Sequence, residues 1–129
     1  MLISRRLLLA AFVTIPAAVE ARAHDQPEHG GQIQKIGKFE GELVFKGGEI
    51  VVYLLDENDN KIDASKFSAT AVVLAKGNEQ KTVALAPGGD NKLVGKVEFA
   101  VDGKFRAAVT LKTGGKEVGK ARYNLDLPR

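Results

Sequence analysis

The sequence predicts an all-β fold, an immunoglobulin-like antiparallel β-sandwich of about seven or eight strands. Short apolar segments recur along residues 32–127, glycine-containing turns separate them, and no long stretch has helical periodicity. Two longer connections, between Leu55 and Ser68 and between Pro87 and Lys92, are expected to carry the chain between the two sheets. A small up-and-down β-barrel is the alternative fold.

The predicted strands begin with the short segment Gln32–Ile36 and continue in pairs joined by tight turns. The predicted two-residue turns are Gly47-Gly48, Gly77-Asn78, Asp102-Gly103 and Gly114-Gly115. Each contains a residue that adopts positive φ readily, which two-residue hairpin turns require. Asp63–Phe67 is the one segment expected to form a helical turn.

Alternation of apolar and polar residues is clearest toward the C-terminus. Phe105, Ala107, Val109 and Leu111 alternate with polar or small residues, which predicts a strand with one face on the core. The segment Ile50–Leu55 is apolar almost throughout, which is typical of a central strand. Its residues Val51, Tyr53 and Leu55 are expected to form an apolar patch on the outer face.

The first 23 residues have the pattern of a cleaved secretory signal peptide. Arg5 and Arg6 precede a 13-residue apolar run, and the small-residue pattern Ala21-Arg22-Ala23 follows it. The run is shorter than the about 20 residues that a membrane-spanning helix needs, so no span is expected after cleavage. A Sec signal is expected, with Tat as the alternative because of the arginine pair. We therefore expect an exported protein with a flexible leader over residues 24–31 and one β-sandwich domain over residues 32–129.

Composition excludes several classes of function. The chain has no cysteine, which rules out disulfides, thiol catalysis and cysteine-based zinc sites. Loss of residues 1–23 removes three of the 19 Lys and Arg and one of the 16 Asp and Glu, which lowers the net charge from +3 to +1. A charge this small does not indicate nucleic-acid binding.

Catalytic arrangements are not apparent in the sequence. Ser65 and Ser68 have no histidine near them, because both histidines lie before the first strand. The segment Asp56–Asp63 resembles the start of an EF-hand loop, but Lys61 stands where that loop needs glycine and no flanking helices are expected. An ordinary turn, in which Asp and Asn side chains bond their own backbone, is favoured instead. The protein is therefore not expected to be an enzyme.

The segment before the first strand is the best candidate for a metal site. Cleavage after Ala23 would free the α-amine of His24, which together with the imidazole can chelate one ion in a single ring. His29, Asp25 and Glu28 are candidates for the remaining ligands. A nitrogen-rich set of this kind favours Cu(II), followed by Ni(II) and Zn(II). A solvated leader without a metal is the alternative.

Several motifs resemble those of small bacterial periplasmic proteins related to domains found in or beside heavy-metal efflux adaptors. The matching residues are His29-Gly30-Gly31, Glu42-Leu43-Val44, "VYLLDENDNKID", "LAPGGDNKLVGK" and the final "ARYNL". The resemblance covers most of residues 29–127 and implies a periplasmic β-sandwich associated with metal handling. It implies no catalytic residue.

Together these features predict an exported β-sandwich that binds or buffers a divalent transition metal, with Cu(II) favoured, as an accessory to metal homeostasis or efflux. Metal-efflux or other envelope proteins are the expected partners. The alternative is a protein-interaction module without a metal role, which docks on an envelope complex through the patch around Tyr53.

Overall fold

The computed structural model describes residues 27–101 and 103–127, and almost all of this part of the chain is antiparallel β-structure. The eight strands are β1 (Gln32–Ile36), β2 (Phe39–Lys46), β3 (Glu49–Leu55), β4 (Phe67–Leu74), β5 (Gln80–Pro87), β6 (Lys92–Lys96), β7 (Lys104–Thr113) and β8 (Lys116–Asp126). A 3₁₀ turn, Ala64–Lys66, precedes β4, where a helical turn was expected. The predicted all-β fold is confirmed. Within the described residues, no helix is long and apolar enough to cross a membrane.

All eight strands belong to one sheet with the order β1-β2-β3-β6-β5-β4-β7-β8. The sheet curls until its two edges meet. At one end of the seam the backbones of Gly37 and Gly119 are in close contact, and at the other end the backbone N–H of Asn124 donates to Oε1 of Gln32 at 2.7 Å. The result is a nearly closed sheet of the small sandwich or barrel kind. Its order is not that of an up-and-down barrel, because β6 lies between β3 and β5.

Three of the predicted hairpins are confirmed, two of them with the predicted two-residue turn. In the third, Ala75 bonds to Glu79, so its turn has three residues and not two. Gly47-Gly48 joins β2 to β3, Gly77-Asn78 lies in the turn from β4 to β5, and Gly114-Gly115 joins β7 to β8. All six residues have positive φ, between 60° and 84°. Glycine and asparagine reach this region at low cost, so these turns could be read from sequence.

Of the two predicted crossings between distant strands, one is confirmed and one is wrong. The chain does cross between β3 and β4, but residues 88–91 instead form a turn between the paired strands β5 and β6. The second crossing comes later, between β6 and β7, where a hairpin at Asp102-Gly103 was expected. After β6 ends at Lys96, Val97 donates its backbone N–H to the carbonyl of Gly48, and the carbonyl of Ala100 accepts from the N–H of Lys76. These two hydrogen bonds hold residues 97–100 against the β2–β3 hairpin and the β4–β5 hairpin.

The interior of the curled sheet holds one apolar core. Alternate residues of β3, β4 and β7 supply most of it, and its largest members include Phe105, Leu54 and Tyr123. The hydroxyl of Tyr123 on β8 donates to the backbone carbonyl of Gly41 on β2 at 2.7 Å. A Cβ on Gly41 would lie 2.8 Å from Ile36 and 3.1 Å from that hydroxyl, so glycine makes room for the tyrosine. This contact ties the two ends of the sheet together through the core.

Candidate functional site

The candidate site lies on the outer face of β2 and β3, beneath the segment Pro27–Gly31. Because Leu43 and Val52 face the core, their neighbours Glu42 and Tyr53 face outward, and these two residues are paired across the strands. Segment Pro27–Gly31 enters β1 directly and runs over this pair. The outer face is therefore covered here by the chain itself.

Glu42 fixes the backbone of this segment. Its carboxylate accepts two hydrogen bonds from the N–H of His29, at 2.8 and 3.1 Å, and one from the N–H of Gly31 at 2.8 Å. The residue is only 3% exposed, although its strand neighbours predict a solvent-facing position. A buried carboxylate needs donors of this kind, because burial without them costs several kcal/mol. Glu42 is thus a structural anchor for the residues around His29.

The side chain of His29 is held as well as its backbone. Its imidazole lies parallel to the ring of Tyr53, with centroids 3.6 Å apart and an interplanar angle of 11°. About one third of the His29 side chain is exposed. A ring that stacks through its face leaves the nitrogens at its edge available to another partner. The imidazole of His29 is therefore held in one orientation, with its ring edge facing away from Tyr53.

The carboxylate of Glu28 lies near that edge. Its Oε1 lies 3.8 Å from Nε2 of His29, and its side chain is 67% exposed. These two predicted ligands are thus brought together, whereas the other two, His24 and Asp25, lie outside the described residues. Across residues 27–101 and 103–127, no three His, Cys, Asp or Glu side chains cluster closely enough to hold a metal ion. The described part of the site supplies two neighbouring ligand groups.

An open depression of about 390 Å³ borders His29 and Tyr53. Ile33, Leu55, Lys61 and Asn91 contribute to its walls. Asn91 is buried, and it both donates its side-chain amide to the carbonyl of Leu54 at 3.0 Å and accepts from the backbone N–H of Leu54 at 2.8 Å. These bonds attach the β5–β6 turn to β3. The wall opposite His29 is therefore built on a fixed loop.

The expected apolar patch on β3 is smaller than its sequence indicates. Val51, Tyr53 and Leu55 do point outward, but all three are half-buried. Val51 lies between Val44 and Val94 of the neighbouring strands, and the ring of His29 covers Tyr53. The outward-facing apolar side chains of Val51 and Tyr53 therefore make contacts within the protein.

The loop that resembled an EF-hand is an ordinary turn. Oδ1 of Asp56 accepts from the backbone N–H of Asn58 at 2.8 Å and of Asn60 at 2.9 Å. These bonds stabilise the ionised carboxyl and hold the pKa of Asp56 below its usual value of 3.8, with Asn60 the larger cause. The favoured turn, in which Asp56 bonds its own backbone, is confirmed.

Sequence reasoning identified His29 and Glu28 but did not identify Glu42 or Tyr53 as parts of the site. Glu42 alternates with apolar residues like any solvent-facing strand residue, so its burial has no local signal. No protein-family model, curated protein sequence or solved structure matches the chain. The function is therefore argued from these residues.

Proposed function

We propose that this protein is an exported, periplasmic β-protein without enzymatic activity that binds or buffers a divalent transition metal through its N-terminal segment. Cu(II) is the favoured ion, followed by Ni(II) and Zn(II). His24 is the primary chelator, through its freed α-amine and imidazole, and His29 is the supporting ligand. Glu28 and Asp25 complete the set. The physiological role is accessory to metal homeostasis or efflux.

The observation that carries this proposal is the fixed position of His29. Glu42 holds its backbone and Tyr53 holds its ring, while Nε2 lies 3.8 Å from the Glu28 carboxylate. A ligand that is already ordered loses less conformational entropy when it binds than a ligand in a flexible tail. His29 and Glu28 therefore offer a prepared half-site that a second chelating residue can complete.

The chemistry of His24 suits the remaining half. An α-amine has an ordinary pKa of about 7.7 and an imidazole one of about 6.5. Both donors therefore lose their protons more easily than a lysine amine, whose ordinary pKa is about 10.4. His29 is five positions after His24 in sequence, and five extended residues span at most about 18 Å. The two histidines can therefore share one ion. Nitrogen donors of this kind favour Cu(II) among the divalent first-row metals.

The test is a Cu(II) titration, by calorimetry, of the processed chain that begins at His24. A second form carries one extra glycine before His24, which moves the free amine away from the imidazole ring. A third form carries His29→Gln. We expect a large loss of affinity in the extended form and a smaller loss in the His29→Gln form.

A fourth form carries Glu28→Gln, which is expected to weaken Cu(II) binding. Glu117→Gln on the exposed part of β8 is its matched control, since both changes remove one exposed carboxylate. Glu117→Gln is expected to leave the Cu(II) affinity unchanged. Equal affinity in the native and extended forms, or no binding by either form, would show that the proposal is wrong. Binding that depends on His24 but not on His29 would show that His29 is not a metal ligand and that the prepared half-site does not exist.

A further inference from the structure

A second depression, of about 530 Å³, lies on the outer face of the other half of the sheet. Its floor comes from β4, β7 and β8, and glutamines of β1 and β5 stand at its margins. The residues that matter here are Val72, Leu74, Arg106, Ala108, Arg122 and Asn124. None of them belongs to the site around His29.

The strand register places the two arginines side by side. Phe105 and Ala107 are buried in the core, so Arg106 on the same strand faces outward. Arg106 is paired with Asn124, and Arg122 precedes Asn124 by two residues on β8. The arginines are therefore diagonal neighbours on one face, and such positions are about 7–8 Å apart.

Neither guanidinium has an acidic partner in the described part of the chain. The ion pairs within residues 27–101 and 103–127 are Glu28 with His29, Glu79 with Lys81, and Asp126 with Lys104. Both arginines are exposed, so each keeps its donors available for an added carboxylate. Two like charges on adjacent strands repel each other, which favours the arrival of negative charge between them.

An apolar surface accompanies this positive charge. Val72 is 38% exposed, the most exposed large apolar side chain of the described residues, and it is paired with Ala108 beside Arg122. Leu74 is half-buried next to it. The amide side chains of Gln34, Gln80 and Asn124 add donors and acceptors around the rim. The depression therefore combines charge, apolar contact and hydrogen-bonding groups.

We propose that this depression binds an extended acidic segment of a partner protein, with two carboxylates at alternate positions. Side chains two residues apart in a strand point the same way and are about 6.6–6.8 Å apart, which matches the separation of the arginines. Each guanidinium can pair with one carboxylate through two parallel hydrogen bonds. The rim amides suit the polar backbone of the segment. No aromatic side chain of the described depression other than the buried Tyr123 is available for base stacking, which disfavours single-stranded nucleic acid.

The experiment measures fluorescence anisotropy of a labelled peptide, Gly-Ser-Glu-Val-Glu-Val-Ser-Gly, with the full chain in metal-free buffer. A peptide of the same composition with adjacent glutamates, Gly-Ser-Glu-Glu-Val-Val-Ser-Gly, tests the spacing. Arg106→Gln and Arg122→Gln are the test variants, and Lys46→Gln, at an exposed position at the end of β2, is the matched control.

We expect each arginine variant to bind the alternating peptide at least about tenfold more weakly, and the control to bind it normally. Binding should also weaken as salt is raised, because the contact is ionic. The proposal is overturned if the peptide does not bind at millimolar concentration, if the two peptides bind equally, or if the arginine variants bind as well as the control. Tighter binding of a six-nucleotide DNA strand would overturn it too. All of these measurements exclude metal, so they are independent of the Cu(II) titration.

Discussion

The carboxylate of Glu42 holds the backbone of His29 through two hydrogen bonds of 2.8 and 3.1 Å, across 13 residues of sequence. The same carboxylate accepts from Gly31. An acidic strand residue thereby becomes the point at which the N-terminal segment attaches to the sheet. The orientation of His29, on which the proposed metal site depends, follows from this attachment.

Glu42→Gln should loosen the segment that carries His29. Glutamine keeps one acceptor oxygen but replaces the other with an amide that cannot accept from the backbone N–H groups. We expect faster hydrogen exchange at the amides of His29 and Gly31, and a loss of unfolding free energy of about 1–3 kcal/mol in urea. Glu117→Gln, on the exposed part of β8, should change neither quantity. Unchanged exchange at His29 in Glu42→Gln would contradict the anchoring role.

Tyr123→Phe should destabilise the seam of the curled sheet. The substitution leaves the carbonyl of Gly41 in the core without its 2.7 Å donor, at an expected cost of about 1–3 kcal/mol. A stability loss confined to a few tenths of a kcal/mol in urea denaturation would show that water replaces the hydroxyl. Tyr123 is 2% exposed, which makes that replacement difficult.

Tyr123 should also impose a dependence of stability on alkaline pH. Burial raises the pKa of Tyr123 above its ordinary value of 10.0. The unfolded chain therefore loses this proton at lower pH than the folded chain does, so the folded state is favoured below pH 10 and loses stability as the pH rises further. Urea denaturation between pH 9 and 11 should show a steeper decline for the wild type than for Tyr123→Phe. Parallel declines would contradict this linkage.

Asp56 should make the stability decrease as the pH falls in the acidic range, whereas Tyr123 makes it decrease as the pH rises in the alkaline range. Its folded pKa lies below 3.8, chiefly because of the hydrogen bond from Asn60, so the ionised form is favoured in the folded turn. The contribution to stability is present above the unfolded pKa and is lost as the pH falls through the folded pKa. NMR titration of the carboxyl carbon should give a midpoint below 3.8. Asp56→Asn keeps an acceptor without a titrating group, so the loss of exchange protection at the Asn60 amide that accompanies acidification in the wild type should be absent in that variant.

Gly119→Ala should open the seam between β1 and β8. A Cβ at Gly119 would lie 2.3 Å from the backbone nitrogen of Gly37, and backbone atoms cannot move aside as a flexible side chain can. We expect a loss of at least about 1–3 kcal/mol in urea denaturation. Lys120→Ala, at the neighbouring exposed position, should have little effect. Equal stability of the two variants would mean that β1 is free to shift.

Local patterns determined much of this protein. Glycine or asparagine at the turns identified three hairpins, because few other residues reach positive φ cheaply. Alternation identified the buried face of β7, where Phe105, Ala107, Val109 and Leu111 are all in the core as expected. The Asp56 turn was also readable, since its hydrogen bonds span at most four residues. Each of these features depends on residues close together in the chain.

Only the tertiary structure decided the features that join distant residues. The crossing between β6 and β7 depends on bonds from Val97 to Gly48 and from Lys76 to Ala100, and no local pattern encodes such partners. Likewise, Glu42 has the alternation of a solvent-facing residue, and only the path of the N-terminal segment over β2 buries it. The histidine was visible in the sequence because its chemistry is intrinsic to the side chain. Its orientation was not visible, because that comes from contacts with Glu42 and Tyr53, which lie 13 and 24 positions further along the chain.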